Sequence, residues 1–182
     1  HPRGAAGLYG LKAYEAPIDP EHYTIDPVAL AELVQQVKPR LVTVGGSLNL
    51  FPHPVQAIAD IAHAAGAKVM YDAAHVSGLL AGKVWPNPLD LGADVVSMST
   101  YKSLGGPAGG LVLTNDAELA ERIDAIAHPG LTANFDAGVT AALALSLLDW
   151  KVYGREYAQA FVGNAIALGL ALQRHGLPVF ST

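Results

Sequence analysis

Cysteine is absent from this sequence. That excludes disulfides and thiolate metal sites, and no metal is expected. An excess of positive charge is also lacking: the formal net charge is −5 and the isoelectric point about 5.7. Phosphate backbones bind to basic faces, so the charge argues against a nucleic-acid partner. Long apolar runs are missing too. The best candidate, VTAALALSLLDW from Val139 to Trp150, is too short to span a bilayer and reads as a buried helix. There is no signal-peptide pattern, internal repeat or low-complexity segment. Together these absences fit an enzyme of the reducing cytoplasm, with no membrane partner.

What is present suits a folded core. The chain has 182 residues, 51% of them hydrophobic, and a mean hydropathy of +0.29. That is enough for one domain with a real interior and argues against disorder. The sequence starts at His1 without a methionine and stops at LPVFST, where a new strand is expected to begin. A piece of a longer polypeptide is therefore expected.

The punctuation of the chain predicts alternating strands and helices. Gly7 to Ala16 has β formers and is expected to hold a strand. TIDPVALAELVQQVKP predicts a helix with Asp26 as N-cap, Pro27 at its first position and Pro39 closing it. Buried strands are expected at Arg40 to Gly46, in KVMYDAAH with its end at Asp72, in ADVVSMS and in GGLVLTN. A helix separates the first two, with Pro54 near its start and Gly66 past its end. DAELAERIDAIAHPG reads as an amphipathic helix ended by Pro129 and Gly130. Two further helices are expected, at about Ala137 to Tyr153 and Arg155 to His175. Short strands, apolar on both faces and alternating with helices, predict an α/β fold with a mostly parallel sheet flanked by helices. In such sheets ligands bind at the carboxyl ends of the strands. Three polar clusters fall there: Ser47, the pair Asp72 and His75, and the pair Tyr101 and Lys102.

Each cluster has an ordinary reading beside a chemical one. Asp72, ending a strand, is either a helix N-cap or the partner of a buried cation. His75, among Ala and Val, suits a satisfied core or cap residue. Lys102 is harder to explain away. It follows SMSTY, precedes SLGGPAGG, and has no adjacent carboxylate. Most lysines are exposed loop residues, and full burial without a partner is rare. A lysine at a strand mouth before a glycine-rich turn matches the needs of a Schiff-base amine, kept nucleophilic by its surroundings. Pyridoxal phosphate requires such a lysine, plus an acid for its pyridinium nitrogen. Asp72 and Lys102 end separate strands and are therefore placed to converge on one cofactor.

The stretch YDAAHVSGLLAGKVWPNPLDLGADVVSMSTYKSLGGPAGGLVLTN resembles the active-site core of serine hydroxymethyltransferases, fold-type-I pyridoxal-phosphate enzymes. The matching elements are DAAHVSGL, WPNPL, SMSTYK and GPAGG. The likeness extends upstream through KPRLVTVGGS and downstream through HPG, and is weakest before Tyr9 and after Trp150. It implies that residues 1–182 form part of the cofactor-binding large domain, with a small domain expected beyond residue 182. It implies pyridoxal 5'-phosphate bound as an aldimine to Lys102, Asp72 paired with the pyridinium nitrogen, and His75 and Ser47 near the phenolic oxygen. It also implies a homodimer or higher homo-oligomer, a small amino-acid substrate, and tetrahydrofolate as a possible co-substrate.

The sequence departs from the family pattern in three places. Tyr101 stands where the family has histidine before the lysine; a phenol still donates a hydrogen bond to phosphate but carries no imidazolium charge. After HPG the family's glycine-rich stretch is replaced by LTANFD, where Thr132 and Asn134 are candidate donors and Asp136 is unwelcome near a phosphate. LNLFPHP after Ser47 differs as well. These changes bear on the folate-dependent reaction more than on the cofactor. His1 is given no role. His63, His128, Trp85, Trp150 and the acidic set from Glu118 to Asp124 are read as helix-face, capping, packing and solvated residues.

The resemblance implies transfer of a hydroxymethyl or aldehyde unit on a small amino acid, with serine to glycine as the default. An α-methylserine hydroxymethyltransferase or a folate-independent aldolase or transaldolase is the next reading. An aminotransferase or a desulfurase also stays open, although a desulfurase needs a catalytic cysteine that these residues lack. So does a non-catalytic fragment that keeps the fold without the cofactor.

Overall fold

The computed structural model describes residues 4–181; His1 lies outside them. The chain opens with a short helix, α1 (Ala5–Leu8), followed by two brief strands, β1 (Ile18–Asp19) and β2 (Thr24–Ile25), that pair antiparallel. The strand expected within Gly7 to Ala16 does not form. Gly10 takes φ +70°, a left-handed turn, and Leu11 donates back to the Ala6 carbonyl at 2.8 Å. That closes α1, and irregular backbone follows.

Helix α2 (Pro27–Val37) starts where its cap predicts. The Asp26 carboxylate accepts from the backbone N–H groups of Val28 at 2.9 Å and Ala29 at 3.2 Å, which satisfies donors the helix cannot. Lys38, at φ +48°, turns the chain out ahead of Pro39. Then come β3 (Leu41–Gly45), α3 (Val55–Ala64), β4 (Lys68–Asp72), α4 (Ser77–Ala81), β5 (Val95–Ser99) and β6 (Gly110–Leu113). The sheet order is β3-β4-β5-β6. The first three strands run parallel, and β6 returns antiparallel to β5. A short loop joins β5 to β6, and a parallel return would have needed a long crossover.

One face of the sheet carries Val42, Val44, Val69, Tyr71 and Val96, all buried against Leu30 and Val34 of α2 and Val55, Ile58, Ala59 and Ala62 of α3. Each large side chain buried this way contributes roughly 1.5–3 kcal/mol. Alternation sends the next residues to the opposite face. Along β3 burial alternates strictly, and Leu41 is 47% exposed. The strand was expected to be apolar and covered on both sides; among the described residues only one of its faces is covered.

After β6 comes α5 (Ala117–Ala125), capped by Asp116. A π-type turn over Ile126–Leu131 follows, with a cis peptide before Pro129. Glu118, Glu121 and Asp124 are exposed, as expected of a solvated face. The chain then forms one helix of 38 residues, α6 (Ala137–Arg174), instead of the expected two. Asp136, set against phosphate in the sequence reading, is its N-cap and accepts from Val139 N–H at 3.0 Å. Gly154 does not break α6. It is buried where the helix crosses α4, and a Cβ on Gly82 would lie 2.6 Å from the Gly154 carbonyl oxygen. The glycines permit close approach, and tertiary packing outweighs their low helix propensity. Among the described residues no helix is long and apolar enough to cross a membrane.

Candidate functional site at the carboxyl edge of the sheet

Lys102 lies in the loop from Thr100 to Gly109 that connects β5 to β6, and this loop is tied down throughout. The Thr100 hydroxyl donates to the Pro107 carbonyl at 2.6 Å, and Gly106 N–H to the Thr100 carbonyl at 2.7 Å. The Ser103 hydroxyl meets Ser77 Oγ at 3.1 Å and accepts from Gly78 N–H at 3.1 Å, which joins the loop to the start of α4. Leu104 is buried, and its carbonyl accepts from the Trp150 indole N–H at 2.7 Å. Lys102 thus projects from a loop braced on two helices, not from a free surface turn.

The side chain of Lys102 is half-buried, and its Nζ sits 3.1 Å from His75 Nε2. An ammonium has only donors, so it donates here, and the His75 proton rests on Nδ1. His75 is exposed and lies between β4 and α4. The ordinary reading of a core or cap histidine does not describe it. Tyr101 is 55% exposed. Its ring centroid is 5.9 Å from Lys102 Nζ.

Asp72 ends β4. Tyr71, its neighbour, faces the covered core, so Asp72 faces the other way, beside Gly45 and Ser97 of the flanking strands. One carboxylate oxygen accepts from Ala74 N–H at 3.0 Å. The turn-capping reading of Asp72 therefore describes one of its two oxygens. The backbone is pinned from both sides: Gly46 N–H donates to the Asp72 carbonyl at 3.0 Å, and Ala73 N–H donates to Ser97 at 2.8 Å. Burial pushes the Tyr71 phenol up to about 12, and the Asp72 charge adds to the shift.

Ser47 follows the Gly45–Gly46 turn at the end of β3 and is exposed. Gly45 has φ +88°, and a Cβ there would overlap the Asp72 carbonyl oxygen. Only glycine lets the two strand ends lie so close. Two sub-clusters result. Lys102, His75 and Tyr101 stand together around β5 and α4, while Ser47 and Asp72 are joined through backbone on β3 and β4.

A groove of about 790 Å³ opens from Lys102 and His75 toward α6, where Asp149, Trp150, Tyr153 and Tyr157 line it. Asp72 and Ser47 do not line this groove. The sequence reading missed Ser77, Ser103 and Thr100, which brace the lysine loop. The repeated hydroxyls of SMSTYKS were the signal for Thr100 and Ser103; Ser77 lies in DAAHVSGL, two residues after His75. Trp150 was read as packing; it does pack against Tyr157, edge to face at 5.5 Å, and it also holds Leu104.

The donor set has a definite chemistry: a primary amine, an imidazole in contact with it, a carboxylate with one oxygen uncommitted among the described residues, and an exposed hydroxyl, all at the strands' carboxyl ends. It fits an aldehyde cofactor with a protonatable ring nitrogen.

Comparison with known proteins agrees with this chemistry. The serine hydroxymethyltransferase family model matches residues 5–182. An alpha-methylserine aldolase of Variovorax paradoxus is 65% identical over 181 residues, 100% of this chain and 41% of that protein. A serine hydroxymethyltransferase of Sulfolobus acidocaldarius is 45% identical over 176 residues, 97% of this chain and 41% of that protein. The crystal structure of L-threonine transaldolase from Pseudomonas fluorescens, in its internal aldimine state, superposes with a TM-score of 0.86 at 28% identity, covering 93% of this chain and 39% of that one. The chain thus spans well under half the length of each of these relatives. With its parallel sheet, its lysine loop and this match along nearly its whole length, the chain belongs to the serine hydroxymethyltransferase family.

Proposed function

We propose that the whole protein is a pyridoxal-phosphate enzyme that cleaves or forms the Cα–Cβ bond of a β-hydroxy amino acid, with α-methylserine as the substrate type. The observation that carries this reading is the contact between Lys102 Nζ and His75 Nε2 at 3.1 Å, on a loop fixed by Ser103 and Leu104. Relatives at 65% and 52% identity, named alpha-methylserine aldolase, favour this substrate type over the 45% identical serine hydroxymethyltransferase.

When bound, pyridoxal phosphate supplies an electrophilic carbon and a pyridinium ring that accepts the electron pair released at Cα. The residues would divide the remaining work. Lys102 would be the amine that holds the cofactor. Asp72 keeps a proton on the ring nitrogen with its uncommitted oxygen. His75 and Ser47 hold the phenolic side, and His75 is the base in contact with Lys102. Tyr101 donates its phenolic hydrogen toward the phosphate. In the cleavage direction the β-hydroxyl loses its proton and the Cα–Cβ bond breaks. α-Methylserine then yields formaldehyde and, after Cα is protonated, alanine. A homodimer or higher homo-oligomer belongs to the same reading, supported by apolar residues exposed along α6, among them Leu145, Leu148, Val152 and Tyr153.

The second reading, hydroxymethyl transfer between serine and tetrahydrofolate, is supported by the family match. One experiment separates the two: formaldehyde release by the full-length, cofactor-loaded protein from α-methylserine and from serine, with and without tetrahydrofolate. Formaldehyde from α-methylserine without folate is expected. Turnover of serine alone, and only with folate, would favour the second reading.

A further inference from the structure

Behind the turn that carries Ser47 lies a relay of two side chains. The Asn49 side chain contacts the Gly46 carbonyl. A carbonyl can only accept, so the Asn49 amide nitrogen is the donor. That leaves Asn49 Oδ1 facing His53 Nε2 at 3.0 Å. An amide oxygen also only accepts, so the His53 proton resides on Nε2. His53 Nδ1 is buried and has no partner among the described residues. Burial pushes the imidazole below its usual range, which keeps the ring neutral and in this one tautomer. The ring also packs against Tyr71, with centroids 6.5 Å apart, one residue before Asp72.

The relay acts on a part of the chain with little stiffness of its own. Strand pairing stops at Gly45, and Gly45 and Gly46 sit at φ +88° and +131°. Two adjacent glycines have the widest backbone freedom of any pair. The Gly46 N–H is committed to the Asp72 carbonyl, so its orientation is tied to β4. The Gly46 carbonyl, which turns with the peptide leading to Ser47, is held by Asn49 alone among the described residues. We infer that Asn49 and His53 are positioning residues: the Nε2–H of His53, acting through Asn49, fixes the Gly46–Ser47 peptide and sets where the Ser47 hydroxyl stands. This rests on the proposed function for what Ser47 and Asp72 hold.

Three variants of the full-length protein test it. His53→Phe keeps an aromatic ring against Tyr71 but removes the donor. His53→Gln loses the ring but keeps an amide N–H able to reach Asn49. Asn49→Ala removes the link without touching the histidine. Each is titrated with pyridoxal phosphate while the visible band is followed for affinity and for the position of its maximum, and the cofactor-free proteins are melted in parallel. His53→Phe and Asn49→Ala are expected to bind about 10-fold more weakly with a displaced maximum, the scale of one lost hydrogen bond. His53→Gln is expected to stay within about 3-fold of wild type. A purely structural ring would give the reverse order, with Gln worse than Phe, and that result overturns the inference. If His53→Phe does not fold, Asn49→Ala against His53→Gln carries the same comparison. A wild-type band that all three variants keep unchanged overturns this inference alone. A wild type without a band overturns the proposed function and this inference with it.

Discussion

The indole N–H of Trp150 donates to the Leu104 carbonyl at 2.7 Å, linking the middle of α6 to the loop that carries Lys102. Trp150 also covers Gly78, where an added Cβ would meet its ring at 3.1 Å. One side chain thus couples the longest helix, the start of α4 and the lysine loop.

Trp150→Phe keeps most of that packing and leaves the Leu104 carbonyl without its donor. A half-buried acceptor left this way costs about 1–3 kcal/mol. Urea unfolding of the variant is expected to show that loss, and the cofactor titration a weaker complex, because the loop is less firmly held. An unchanged midpoint and an unchanged titration would mean that the loop is fixed without Trp150.

Tyr101 offers a contrast, since over half of its surface is exposed. Removing its hydroxyl in Tyr101→Phe should change stability by no more than about 0.5 kcal/mol. If the phenol faces the cofactor phosphate, affinity for pyridoxal phosphate falls several-fold and Tyr101→His restores it. Affinities equal to wild type in both variants would remove Tyr101 from the site.

At the other end of the sheet, Asp94 accepts from Lys68 Nζ at 2.8 Å, His63 Nε2 at 2.9 Å and Val69 N–H at 2.7 Å. Burial pushes its carboxyl up, but the hydrogen bonds from Lys68, His63 and Val69 outweigh this and hold it below the usual 3.8. A carboxyl with a depressed folded-state pKa stabilises the fold when ionised. That contribution is complete above the usual value and is lost as pH falls through the depressed one. Asp94→Asn is expected to cost about 1.5–3 kcal/mol at pH 7, the range for hydrogen bonds to charged groups. The gap between variant and wild type should narrow as urea titrations are repeated below the usual carboxyl value. A gap constant across that acid range would show that charge plays no part.

Much of the framework was legible because its signals are local. Asp26 and Pro27 start α2, Gly66 follows α3, and the apolar runs ending at Gly45, Asp72 and Ser99 are strands. Lys102, Asp72, His75 and Ser47 were picked out by where their strands end, a property of sequence order. What escaped depends on contacts distant in sequence. Gly154 reads as a helix break unless Gly82 is known to lie against it. Burial of only one face of β3 depends on what packs there. His63 looked like a plain helix-face residue, and its bond to Asp94 spans 31 positions. The relay through Asn49 and His53 was visible only as the departure LNLFPHP, because its meaning depends on the glycine turn folding back over it. Local sequence places the chemical groups at the sheet edge, and the tertiary fold fixes their orientation.

The central claim is that Lys102 is the covalent anchor of pyridoxal phosphate. It is tested most directly by the visible spectrum of the full-length protein with added cofactor, before and after borohydride reduction, for wild type and Lys102→Ala. A visible band is expected in the wild type. Reduction should abolish it and leave the cofactor covalently on the peptide containing Lys102, and Lys102→Ala should retain no cofactor after the same treatment. A wild type without a band, or cofactor fixed on a different lysine, would contradict the account.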